Sequence, residues 1–455
     1  MTYRQLLAGN PDFRRLWFGQ VISEIGDWLN NIAVLALTIE LAGAGREGFA
    51  IALYAIARHL PLFLFGPLAG VTVDRADRKR VMIGADIARS VLALGFLAAA
   101  RFSSLSMIYA VGASLFSVSA FFNAAKRAAL PNIATEAQEL LAANSLSAST
   151  TAATIAVGSA LGGIVATSLG RDAVFIINAL TFLLSAEMLR RIRAQTNRSA
   201  NSVIDNEAAQ IQRNRSAAQR RFVKSFRGAL RQTAADFWRG LKYVRRDNVL
   251  SAIFIVAAGW GLGNGAARAL YSVFGAQLGE QSGLHVARPI DFGISVLFVC
   301  MGVGGIVGAP LAKRFNRRIE NDGMGAGLGR SLTLDGCCLI IFSLMPSLWS
   351  AGLTLIVREM NFAIWWTAQQ TLMMRRTNNA FGGRVFASYE TLTTLMMTGA
   401  MFLSGKFADL YGIRIVAAIG GIVITLSGLL WFALKPRWND AEVETTAPNA
   451  KNLPA

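Results

Sequence analysis

Apolar residues run through this chain in twelve long stretches separated by short charged breaks, and within each stretch they are continuous rather than alternating with polar ones. A hydrocarbon core about 30 Å thick takes about 20 such residues in a helix. The stretches predict membrane-crossing helices over 17–41, 49–70, 81–100, 104–122, 146–169, 172–189, 249–270, 291–312, 331–345, 348–371, 385–407 and 414–434. A closed barrel is excluded, because its strands alternate between lipid and lumen. The expected fold is an all-α membrane protein with twelve transmembrane helices.

The segment 190–248 divides these spans six and six. That division predicts two pseudo-symmetric six-helix bundles, residues 1–189 and 249–434, around a shared central cavity, with a tail over 435–455. A faint internal repeat agrees: Gly308-Ala309-Pro310-Leu311-Ala312 and the basic turn after it echo Gly66-Pro67-Leu68-Ala69-Gly70 and its own basic turn. Within the central segment, 195–219 reads as polar and disordered, while Phe222, Phe226, Leu230, Phe237, Leu241 and Val244 recur at helical spacing among arginines. That second part is expected to be an amphipathic helix lying along the inner leaflet.

Charge fixes the expected orientation. One set of breaks carries Arg4, Arg14, Arg15, the Arg75 to Arg80 cluster, Lys126, Arg127, the fifteen Lys and Arg of the central segment, Lys313, Arg314, Arg317, Arg318, Arg330, Arg375, Arg376 and Arg384. The alternate set carries Arg46, Arg101, Arg171, Arg288 and Arg414. Basic residues in short loops are retained in the cytoplasm, so both termini and the central segment are expected there, in a multi-pass protein of the cytoplasmic (inner) membrane. The start, through Asp12, is polar without a cleavable signal pattern, so the first span is expected to direct insertion.

Composition narrows the function. The chain is 53% hydrophobic and 16% charged over 455 residues, against about 25% charged in soluble domains. The net charge of +18 sits in the breaks between spans, a topology signal rather than a nucleic-acid-binding surface. Cys300, Cys337 and Cys338 fall inside apolar stretches and read as small hydrophobes. With two histidines, no H-E-x-x-H and no G-x-S-x-G, the chain offers no catalytic or metal-ligating set and no cofactor site. The stretch from Gly399 to Lys406 has one residue too many for a phosphate-cradling loop and is followed by Phe407, so no ATPase is expected.

Ionisable residues deep in spans are the candidates for chemistry, since each must face a cavity or a counterion. Asp27 lies about midway through span 1, with Glu24 and Asn31 on the same helical face. A carboxyl there can load a proton from one side and release it to the other, or tie span 1 permanently to a neighbour. Glu24 and Glu359 are the further proton-coupling candidates. Arg58 and Arg358 are candidate cavity residues for an anionic substrate or partners in structural pairs, while Arg268 reads as too near the outer surface to matter. Trp28, Trp260 and Trp365 could line a pocket for flat, greasy molecules. Gly158, Gly162 and Gly163 let span 5 approach a neighbour closely.

The turn Gly70-Val-Thr-Val-Asp74-Arg75-Ala-Asp77-Arg78-Lys79-Arg80 resembles the loop 2-3 signature of the major facilitator superfamily of secondary transporters. Asn10-Pro-Asp-Phe13-Arg14-Arg15-Leu-Trp17 with Gln20, Ser23, Gly26, Asp27 and Trp28 is similar to the start of its drug and siderophore efflux branch, which includes the enterobactin exporter and the macrolide efflux pumps. Lys126-Arg127-Ala-Ala-Leu130-Pro131 and Gly382-Gly383-Arg384-Val385-Phe386 look like that branch's loops 4-5 and 10-11. Three departures stand out. Asp77 replaces the second loop glycine, the antiporter element of span 5 lacks its proline as Gly158-Ser159-Ala-Leu-Gly162-Gly163, and span 4 has no arginine.

The resemblance implies the major facilitator fold and a secondary transporter that exports an amphipathic small molecule, such as a drug, macrolide or siderophore, by alternating access. A proton gradient is the expected driving force and a monomer the expected assembly. It also implies a cytoplasmic gate built on Gly70, Asp74, Arg75 and Arg78, which Asp86 and Arg89 can join. The alternatives are a facilitator or importer of a lipid or metabolite, and a non-transporting membrane sensor or scaffold.

Overall fold

The computed structural model describes residues 2–194, 196, 235, 237–321, 324–378 and 381–434. The expected disordered stretch, most of the amphipathic helix and the tail lie outside the described residues. A short helix, α1 (Tyr3–Gly9), leads into twelve long ones. The first six are α2 (Pro11–Ala42), α3 (Glu47–Arg75), α4 (Arg78–Arg101), α5 (Leu105–Ile133), α6 (Ala137–Ser168) and α7 (Arg171–Arg190). The second six are α8 (Asn248–Glu280), α9 (Pro289–Asn321), α10 (Met324–Leu344), α11 (Leu348–Arg376), α12 (Gly382–Tyr411) and α13 (Ile413–Leu434). We call the face where α2 begins the terminal face and the opposite one the distal face.

Local chemistry explains where the helices begin. Thr2 and Gln5 form a capping box on α1, Asn10 caps α2 ahead of Pro11, and Asp247 accepts two amides at the start of α8. Asp77, which breaks the expected glycine pattern, caps α4 by accepting the Arg80 amide at 3.0 Å. Several helices outrun the apolar stretches that announced them. α5 continues to Ile133 through Pro131, α6 starts at Ala137 and α10 starts at Met324. Helical backbone remains satisfied beyond the hydrocarbon layer, so hydropathy marks where lipid ends and not where the helix does.

Each half repeats one packing plan. In the first, α2 packs on α6 and α7, α3 on α5, and α4 on α7; in the second, α8 packs on α12 and α13, α9 on α11, and α10 on α13. Between the halves, α3 meets α12 and α6 meets α9, two contacts that the same pseudo-twofold interchanges. Pro67 of α3 and Pro310 of α9 occupy matching helices, as the sequence echo implies. Ten of the twelve long helices carry an 18-residue stretch apolar enough to cross a membrane; α11 and α12, richer in polar side chains, do not. Outward-facing aliphatic residues such as Val91, Ile164, Leu353 and Leu426 are exposed on the bundle surface, as contact with lipid tails requires.

The closest crossing within a half joins α8 and α9. A Cβ on Gly275 would lie 2.7 Å from the Ile294 Cα, and one on Gly279 would lie 2.9 Å from the Gly293 Cα. Gly275→Val or Gly279→Val is therefore expected to cost about 1–3 kcal/mol by overpacking, lowering the thermal unfolding midpoint of the purified protein. Gly399→Ala, at a site with nothing within 4 Å, should leave the midpoint unchanged or raise it slightly.

Candidate functional site

The two halves touch along their distal portions. Gly163 of α6 faces α9, where a Cβ would come within 2.5 Å of the Ser295 Cβ, and the Ser295 hydroxyl donates to the Ser159 carbonyl at 2.7 Å. Gly302 sits on Ala156, and Gly405 of α12 lies against Gly48 and Ala52 of α3. Small residues on both sides allow backbone-to-backbone approach.

Two charged contacts close the same face. Arg171 at the start of α7 donates to Asp291 of α9 in a bidentate pair, with Nε to Oδ1 at 3.0 Å and Nη2 to Oδ2 at 2.8 Å, and it also pairs with Glu40 of α2. The Asp291 side chain is fully buried. Asp409 at the end of α12 accepts the amides of Gly48 and Phe49 at 2.8 and 3.0 Å, so one half caps a helix of the other.

Three cavities lie below these contacts, and the largest, on the terminal side, is lined by both halves. The central one, about 140 Å³, is lined by Trp28, Asn31, Tyr54, Arg58 and His59 from the first half and by Arg268, Ser272, Phe298 and Met401 from the second. A second, about 170 Å³, lies within the first half and is walled by Gln20, Ser23, Glu24, Asp27, Arg89 and Lys126. The third and largest, about 570 Å³, shares His59 with the central cavity and Leu62 and Asn123 with the second, and adds Arg127 of α5 and Glu390 of α12.

The sequence candidates divide among these surroundings. Asp27 and Glu24 share the second cavity, where the Gln20 amide donates to Glu24 at 2.7 Å and the Thr154 hydroxyl at 3.1 Å. Asn31 accepts from Arg58, whose guanidinium lies over Trp28 and Phe116 at 5.4 and 4.8 Å. Those three cavity candidates line the chamber together. Arg358 does not join them: it is buried inside the second half, donating to Asp335 of α10 at 3.0 Å, to Asn264 at 2.9 Å and to the Tyr271 hydroxyl. Glu359 lies beside it, 3.7 Å from the Arg358 Nη1. Trp260 and Trp365 are buried as well, in an aromatic stack with Phe362 and Trp366.

The terminal-face candidates also separate. Asp74 and Arg75 stand exposed and make no ion pair among the described residues. Arg78 donates to the carbonyls of Ala128 and Thr196 at 3.0 Å each, tying the α3–α4 turn to α5 and to the chain after α7. Asp86 and Arg89 form a buried pair of their own, with the guanidinium over Phe122 and Phe182 at 4.0 and 4.5 Å. Gly158 and Gly162 face α2 within the first half, where a Cβ would lie 2.6 Å from the Trp28 Cβ and 2.9 Å from the Leu29 carbonyl.

Two sequence placements are corrected. Lys126 and Arg127 are not in a loop but on the last turns of α5, walling the chamber. Arg268 is not peripheral: it stands on α8 facing the central cavity. Arg171, Asp291 and Asp409 drew no attention because each sits at a span boundary, and only the fold brings them together.

A family model described as Major Facilitator Superfamily matches residues 16–401. A Bacillus subtilis (strain 168) protein named as a candidate bacilysin exporter, BacE, is 24% identical over 424 residues, covering 91% of this chain and 93% of its own length. Macrolide efflux protein A from Streptococcus pyogenes is 36% identical over 75 residues, 16% of this chain and 18% of that protein. Among solved structures, a bacterial homologue of the iron transporter ferroportin in an inward-facing state aligns with a TM-score of 0.70 at 12% identity, over 94% of this chain and 99% of that one. The nucleoside transporter NupG aligns with a TM-score of 0.67 at 11% identity, over 93% of this chain and 100% of that one.

The Arg358 network generates a stability prediction. Arg358→Ala strands Asp335 in the core and is expected to cost about 3–5 kcal/mol, whereas removing both charges as Arg358→Leu with Asp335→Leu should recover much of the loss. Thermal unfolding of the purified variants measures both.

Proposed function

Because the chain belongs to the Major Facilitator Superfamily and is a multi-pass membrane transporter rather than an enzyme, we propose that it exports an amphipathic small molecule by alternating access, driven by a proton gradient. The observation that carries this reading is the one-sided chamber: the halves meet at the distal face through paired charges and small residues, and the largest cavity, lined by both halves, lies on the terminal side. Export-named relatives support the direction. The distribution of Lys and Arg supports a cytoplasmic terminal face, with both termini inside a bacterial inner membrane. In that orientation the conformation described here is open inward and sealed outward.

Asp27 is the proposed coupling residue. It lines a cavity that Glu24 and Lys126 also line, and it makes no hydrogen bond or ion pair among the described residues. A carboxyl so placed can exchange a proton with the chamber whichever way the chamber faces. Glu24, held by Gln20 and Thr154, is fixed in place and serves as its neighbour rather than as the mobile proton site. Loading Asp27 from outside and unloading it inside while the substrate moves the other way gives an antiport cycle. Asp74 and Arg75, exposed and unpaired in this state, are the groups proposed to engage when the cytoplasmic side closes.

Proteoliposomes carrying an imposed pH gradient test the proposal with a panel of dyes, macrolides and siderophores. The wild type should expel at least one panel member in a gradient-dependent way, and Asp27→Asn should reduce that flux to the protein-free background while leaving equilibrium binding intact. Unchanged flux in Asp27→Asn would exclude it as the coupling site, and gradient-driven accumulation would reverse the assigned direction. Orientation is checked independently in a variant free of native cysteines. Arg80→Cys, at a side chain 89% exposed, should react with an impermeant maleimide only from the cytoplasm, and Arg101→Cys, at one 71% exposed, only from outside.

A further inference from the structure

The central cavity carries positive charge that its own walls leave unneutralised. Arg58 enters from α3 of the first half and Arg268 from α8 of the second, and neither belongs to an ion pair among the described residues. The other deep arginines behave differently. Arg89 has Asp86, Arg358 has Asp335 and Arg171 has Asp291, each a carboxylate supplied by the protein. Arg58 is held by a neutral amide, Asn31, and by the faces of Trp28 and Phe116. No acid lines this cavity: Glu359 lies 3.7 Å from the Arg358 Nη1, and Asp27, which pairs with no group among the described residues, lines the adjoining cavity. The other titratable side chains on this wall are Tyr54 and His59, whose Nδ1 lies 2.8 Å from the Ala55 carbonyl.

Two cations exposed to one chamber inside a membrane protein are costly unless water or an anion accompanies them. Guanidinium groups hold carboxylates by paired, charge-assisted hydrogen bonds. Around them the wall is aromatic and soft, with Trp28, Tyr54, Phe298 and Met401, which suits the apolar body of a ligand. The cavity has room for roughly ten waters, at about 10–15 Å³ each, and shares His59 with the larger cavity beside it.

We infer that Arg58 and Arg268 form a split carboxylate clamp, one arm from each half, so that the molecule carried is an amphipathic organic anion whose carboxylate lies between them and whose apolar body rests on Trp28 and Phe298. The clamp couples recognition to movement. Empty, the two like charges repel across the interface; occupied, the carboxylate draws both halves onto itself. The inference rests on reading this chamber as the transport chamber, and it deepens that reading by excluding Arg358 from the substrate site and bringing Arg268 into it.

Equilibrium binding to the purified, detergent-solubilised protein tests the clamp without any gradient or flux. Calorimetric titration with 1-naphthoate should show saturable binding, with the uncharged 1-naphthamide and the cationic 1-naphthylmethylammonium each weaker by about tenfold or more. Arg58→Gln and Arg268→Gln should each lower naphthoate affinity by about tenfold or more while barely changing naphthamide binding. Arg268→Lys, which keeps the charge, should restore most of the loss and guards against misfolding as the cause. Absence of naphthoate binding, equal binding of the three probes, or indifference to both substitutions would overturn the clamp. The two readings fail separately: charge-selective binding without gradient-driven flux would retain the clamp and sink the exporter, and flux of a dye untouched by either Gln variant would do the reverse.

Discussion

An ionised side chain in a low-dielectric slab must be paired, be hydrated, or lose its charge, and this constraint organises the whole bundle. Asp86 with Arg89 and Asp335 with Arg358 settle it by pairing inside a single half. The second pair recruits Asn264 and Tyr271 of α8, so three helices are bolted around one guanidinium. The Arg358 knot ties these three helices of the second half together, because sliding one past the others would strand a charge, whereas Asp86 and Arg89 pair within α4 itself. Arg171 with Asp291 obeys the same rule across the boundary between halves, and only at the distal face.

Small residues supply the complementary condition. Where α6 crosses α9 and α3 crosses α12, Gly163, Gly302 and Gly405 bring backbones into contact without interdigitating side chains. Shallow surfaces of this kind separate without unpacking a core, unlike the Gly158 and Gly162 face of the same α6 helix, which is locked against Trp28 and Leu29 within its own half. One helix thus presents one face to its own half and another to the opposite half, with the adjacent Gly162 and Gly163 on different faces.

The fold was legible in the sequence because lipid imposes a length and a polarity on every span, and twelve continuous apolar stretches with a midpoint interruption leave few alternatives. Even α11 and α12, whose polar side chains weaken their apolar signal, carry apolar runs that mark them as spans over 348–371 and 385–407. The site was legible in part. The face of Glu24, Asp27 and Asn31 on α2 was visible from helical spacing alone, and Arg58 from its depth. Lys126, Arg127 and Arg268 were misplaced for one physical reason: a water-filled chamber lets polar residues continue along a helix that lipid would have ended, so a fall in hydropathy imitates a loop. Of the two readings of Arg358, cavity residue or structural pair, its contact with Asp335 fits the second, and Trp260 and Trp365 are buried in an aromatic stack. Their depth along the span was right, but depth does not say which side of a helix faces the chamber, and that direction depends on neighbours such as Asp335 and Phe362 that are distant in sequence.

The Arg171 cluster has a consequence for the energetics of motion. Its guanidinium touches two acids of different allegiance, Asp291 on the opposite half and Glu40 on its own, with the Glu40 side chain 56% exposed to solvent. In the proposed cycle, parting of the halves at this face would leave Arg171 paired with Glu40, so that only Asp291 would have to be rehydrated and one bare ion rather than two would be created.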